Sequence, residues 1–154
     1  MSRSVGNIAR LVARWMACLA LALCSAQCRG VDNRVVSSDV NIGDWNERVE
    51  LLYENSTAAT RCDVDVVLHV NRNFTEREIP LEITFFTPDS LRYSECIELK
   101  AQAEWDGVAD YYTDIVMPYR GDVSLAKEGV YRLTIRPLKS LSGVESAGVN
   151  FRLK

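Results

Sequence analysis

Three side chains able to hold a cation, Asp63, Asp65 and His69, fall at even spacing in one short segment. In an extended chain they project to one side, yet they spread over about 20 Å, too far for one ion to meet all three. A solvated sheet face is the better account of them. His69 is the only histidine in 154 residues, which leaves a Ser-His-Asp triad or a histidine-based zinc site without support. Glu76 and Glu78 flank Arg77 in a turn, where their charges keep the segment wet. No two carboxylates share a site by spacing, so glycosidase chemistry has no basis either. The residues predict no catalytic set, no metal and no cofactor.

Two cysteines downstream, Cys62 and Cys96, would be free to pair in an oxidising compartment. Alternation sets Cys62 with Val64 on an apolar face and Cys96 with Arg92, Ser94 and Glu98 on the opposite one. A disulfide needs converging Cβ vectors, so two free thiols are expected. Trp45 and Trp105 lie beside predicted strands. They read either as aromatic contacts for a sugar or peptide or as plugs over the end of a core, and the plug is favoured. Asn55-Ser56-Thr57 and Asn73-Phe74-Thr75 match the N-glycosylation acceptor, which matters only in a eukaryotic secretory pathway.

The N-terminus speaks about destination. Residues 1–27 hold Arg3, Arg10 and Arg14 and no acid, and an unbroken apolar run covers residues 15–23. That run is shorter than the ~20 residues a membrane span needs and has the flanks of a signal peptide. Cleavage after Ala26 would release a soluble chain, whereas Cys28, just past the run, would carry a lipid if it became the new terminus. Removing residues 1–27 removes three arginines and no acid, so the formal charge moves from −3 to −6. Such a domain is repelled by anionic headgroups, so a lipid would have to hold it at a membrane. The acidic balance also argues against nucleic acid as a partner.

The elements that must position these residues read as strands. With 47% apolar and 25% charged residues the chain is of ordinary globular composition. Apolar residues alternate at period two through 49–53, 62–70, 81–85, 91–99, 111–117, 130–135 and 147–153. Pro88-Asp89-Ser90 reads as a tight turn, Pro118 as a break in its ladder and Pro137 as a strand end. Residues 28–47 read as a polar tether in which Val35-Val36 forms at most a short edge strand. The expectation is an all-β chain: a signal peptide over 1–27, the tether over 28–47, and a single antiparallel β-sandwich over 48–154. That sandwich would have seven or eight strands, Ig-like or jelly-roll-like.

Several segments, in order, resemble the gliding-motility lipoprotein GldH family of the Bacteroidetes. They are Asn33-Arg34-Val35 after Cys28, Asp44-Trp45-Asn46 before the first long strand, and Asp114 to Tyr119 ending in Pro-Tyr. The strand Gly129 to Ile135 and the closing segment Gly143 to Val149 complete the series. The resemblance implies a non-enzymatic envelope lipoprotein, acylated at Cys28 and working through contacts with other envelope or gliding-machinery proteins. Arg29-Gly30-Val31 follows Cys28 where acidic residues accompany surface display in that phylum, which favours the outer membrane facing the periplasm. Asp89-Ser90-Leu91 resembles the O-glycosylation acceptor of exported Bacteroidetes proteins and marks Ser90. A secreted or surface carbohydrate-binding module using Trp45 or Trp105 is the alternative.

Overall fold

A computed structural model describes residues 33–105 and 111–154, in which there is no helix. The signal segment and Cys28 lie outside the described residues. Eight strands follow in order: β1 (Asn33–Asp39), β2 (Val49–Asn55), β3 (Thr60–Asn71), β4 (Glu78–Phe86), β5 (Arg92–Lys100), β6 (Tyr112–Leu125), β7 (Gly129–Pro137) and β8 (Val144–Leu153). They form two four-stranded antiparallel sheets, ordered β1-β8-β3-β6 and β2-β7-β4-β5. Strand β1 pairs with β8, β2 with β7, β3 with β6, and β4 with β5. The chain is thus one long antiparallel hairpin rolled into two sheets, which is the topology of a jelly roll.

Period-two patterning explains why these segments are strands. In β3, Cys62, Val64, Val66, Leu68 and Val70 all point inward and are at most 2% exposed. They meet Leu51, Tyr53, Ile79, Leu81, Ile83, Leu133 and Ile135 from the other sheet. Tyr53 and Phe151 stack at 3.9 Å between ring centroids, and such an aromatic contact adds roughly 0.5–1.5 kcal/mol beyond area burial. The return into β8 turns at Gly143, whose φ is 78°. A Cβ there would lie 2.4 Å from the Phe74 backbone nitrogen, so only glycine fits.

Three expectations need correction. The sandwich starts at Asn33, ahead of position 48, because Asn33–Asp39 pairs residue by residue with β8. Residues 40–47 are also tied down: Val40 N donates to Glu145 O at 2.9 Å, and Trp45 exchanges backbone hydrogen bonds with Leu141. Pro118 does not end its strand: the ladder only shifts register there, Asp65 pairing with Pro118 and Val64 with Arg120. It sits inside β6, an edge strand where the missing N–H faces no second neighbour. Asp65 is not solvated, being 2% exposed. Arg152, on the neighbouring strand β8, covers it with Nε at 2.7 Å from Oδ2 and a second nitrogen at 3.1 Å from Oδ1.

Short connections fix which loops share an end. Residues 56–59 join β2 to β3, residues 87–91 join β4 to β5, and residues 126–128 join β6 to β7. These three turns, the start of β1 and the C-terminal Lys154 all lie at one end of the sandwich. The β1–β2, β3–β4 and β7–β8 connections lie at the far end.

Candidate functional site

The sandwich does not close along its β5/β6 side. These are the last strands of the two sheets, and at the end carrying the three turns they splay around a cleft of about 470 Å³. The parting of the strands shows in β5. Its odd positions face the other sheet, yet Leu99 is 5% exposed and Tyr93 is 61% exposed. Tyr93 therefore has the parity of a core residue and the surroundings of a surface one. Val64, Phe85 and Tyr131 form the floor, with Val123 on the β6 wall and Leu91 at the rim. The Phe85 and Tyr131 rings lie 5.4 Å apart.

The polar groups at the mouth are paired with one another. Tyr119 Oη donates to Glu95 Oε1 at 2.5 Å, Arg120 Nε donates to the same oxygen at 3.2 Å, and a second Arg120 nitrogen pairs with Glu95 Oε2. This clamp joins β5 to β6. The Tyr119 hydrogen bond, reinforced by Arg120, holds the Glu95 carboxyl below its ordinary range. Burial, with the Glu95 charge beside it, pushes the Tyr119 hydroxyl up. On the turns, Lys127 Nζ lies 2.5 Å from Asp89 Oδ2, and this cation, with the Thr87 hydroxyl, lowers the Asp89 pKa. Gly129, at φ 124°, lets β7 begin against Pro88, only 3.1 Å from where a Cβ would sit. Tyr131 Oη accepts from Lys127 N and donates to Lys127 O, tying the turn to the cleft floor. The result is an apolar recess ringed by compensated charge, in the size range of ligand sites.

A second surface lies on the outer face of the β2-β7-β4-β5 sheet. Leu52, Arg132, Phe86 and Arg92 stand in register across its four strands. The Arg132 guanidinium sits 4.2 Å over the Phe86 ring and that of Arg92 5.9 Å over it. Leu52 is 59% exposed and Val130 beside it 50%.

The residues singled out from sequence are dispersed. Asp63 accepts from Asp122 N at 2.8 Å and from Lys154 at 2.9 Å, and these bonds, the backbone one first, lower its pKa. His69 Nδ1 lies 2.7 Å from Asp114 Oδ1 and its ring stacks on Tyr112. Among the described residues no group of three His, Cys, Asp or Glu side chains is placed to hold a metal. Trp45 takes the favoured plug reading and not the surface-contact one: at 1% exposure it covers the core, its Nε1 donating to Glu47 O at 2.8 Å. Trp105 is half-buried against the core with the Arg72 guanidinium 5.0 Å over its ring. Asp106 and Gly107 lie outside the described residues. Asn55 is also occupied, its amide donating to Thr57 O and Lys127 O at 2.8 and 2.9 Å, which leaves no nitrogen for a glycan.

Cys62 and Cys96 are free. Cys62 is fully buried, and burial, with Asp63 nearby, pushes its thiol up to about 11; Cys96 is exposed on the outer face of β5. Glu76 pairs with Lys139 at 2.5 Å. Ser90 is exposed at the tip of the β4–β5 turn, at φ 67°. The sequence held no signal for the cleft, since Tyr93 by alternation belongs to the core.

No family model matches the chain, nor does any curated protein. Among solved structures, it is similar to Eiger TNF from S. frugiperda, at 10% identity over 79% of this chain and 93% of that one, with a TM-score of 0.36. A chain of infectious bursal disease virus, Gx strain, is similar at 14% identity and the same TM-score, over 79% of this chain and 32% of the viral one. The jelly-roll assignment rests on strand order and register.

Proposed function

We propose that this chain is an exported, lipid-anchored component of a bacterial cell envelope, held through Cys28 at the outer membrane on its periplasmic side. It acts without catalysis, by contact with other envelope proteins, in a gliding apparatus or a related assembly. The export segment, the placement of Cys28 and the ordered GldH-like segments support the anchor. The contact role is carried by one observation, the Leu52–Arg132–Phe86–Arg92 row. Arginine and aromatic side chains are enriched among residues that dominate protein interfaces, and an exposed row of them with Leu52 and Val130 at its side is an interface composition. The four strands that carry the row are joined in one antiparallel ladder.

Fractionation of the host envelope tests this reading. Cys28→Ala should move the domain from the membrane to the soluble fraction, and persistence in the membrane would contradict the anchor. Leu52→Asp should stay at the membrane but lose the cross-linked complexes that the native protein forms there; unchanged complexes would contradict the contact face.

A further inference from the structure

We infer that the β5/β6 cleft is an acyl-chain site that takes up one hydrocarbon chain of a bilayer phospholipid. Three observations converge on it. The first is chemistry: Val64, Phe85, Tyr131, Val123 and Tyr93 give the cleft an apolar interior. The second is charge. The mouth's ions are already compensated, Glu95 by Tyr119 and Arg120 and Asp89 by Lys127. An ionic ligand group would have to break these pairs, whereas an uncharged chain leaves them intact.

The third is position, and it rests on the proposed anchor. Five residues lead from Cys28 to Asn33, so a lipid on Cys28 holds the start of β1 within about 17 Å of the bilayer. Asn33 lies opposite Arg152, Arg152 opposite Asp63, and Asp63 beside Asp122 on β6. Three strand spacings therefore separate the tethered strand from the cleft wall, about 14 Å. The start of β1 and the cleft share one end of the sandwich, so a bilayer holding Cys28 would lie within reach of the cleft. Hydrocarbon entering it would cover the exposed ring of Tyr93, a gain that scales with buried apolar area.

The test uses purified mature protein mixed with phosphatidylethanolamine vesicles doped with a phosphatidylcholine whose acyl chain carries a diazirine. After irradiation, lipid adducts should map to residues 85–95 and 119–131. Ala126→Trp, an exposed rim position that would plug the mouth, should cut them at least fivefold while vesicle flotation stays unchanged. Tyr111→Asp, at the far end, should leave them as they were. Adducts spread evenly over the surface, or unaffected by Ala126→Trp, would overturn the acyl-chain site even with the protein floating. If the protein fails to float, the anchor is what has failed. The cleft is then judged by titration with cis-parinaric acid, where saturable binding weakened tenfold by Ala126→Trp sustains it and no binding overturns it.

Discussion

Single side chains here owe their state to what covers them. Cys62 and Cys96 are both thiols, but only one is reachable. Cys62 is walled in by the core and its pKa stands near 11, so it stays protonated and inert at neutral pH. Cys96 faces solvent from an edge strand. Iodoacetamide added to the folded protein should modify Cys96 within minutes and Cys62 only after urea unfolds the chain, as peptide mapping would show. Equal labelling of both in the native state would mean that β3 is not the buried central strand described. Asp65 makes the same point with charge. A sequence reader sees an aspartate alternating with apolar residues and assigns it to solvent. Its covering guanidinium arrives from position 152, 87 residues later, and nothing local announces it.

At the scale of elements, the informative contact is the Glu95 clamp between β5 and β6. A carboxylate whose folded pKa is depressed contributes stability that is present above its unfolded pKa and is lost as pH falls through the lowered value. Glu95 starts from 4.5 and is shifted down, so the clamp holds at neutral pH and releases in acid, below that figure. Asp63, Asp89 and Asp122 are shifted the same way and steepen the acid limb. Urea midpoints measured from pH 6 down to pH 2 should therefore fall. In Glu95→Gln they should start lower and fall less, because the variant has no proton to gain there. An acid limb identical to the native one would show that the clamp does not form in solution. Strand content was legible because period-two stripes such as 62–70 are local. Pairing partners were not, since β1 joins β8 across most of the chain and β3 joins β6 over 41 to 65 residues. Strand β1 itself was under-read: as an edge strand it buries little, and its polar residues resemble a tether.

At the scale of the whole molecule, the rolled-hairpin topology puts the start of β1, three turns and the open cleft at one end, and a laddered aromatic-arginine row on one broad face. Alternation gave the sandwich class without strand order, and order is what gathers turns from positions 56, 87 and 126 beside the N-terminal entry. The cleft stayed hidden because its markers, Tyr93 and Val123, look like core residues until the two edge strands are seen to part. The account depends on attachment at Cys28. Intact-mass measurement of the mature protein from its native envelope tests it most directly. The account predicts a chain beginning at Cys28 with the added mass of a diacylglyceryl group and its N-terminal acyl chain. A chain beginning at Gln27 with no fatty acid would contradict it.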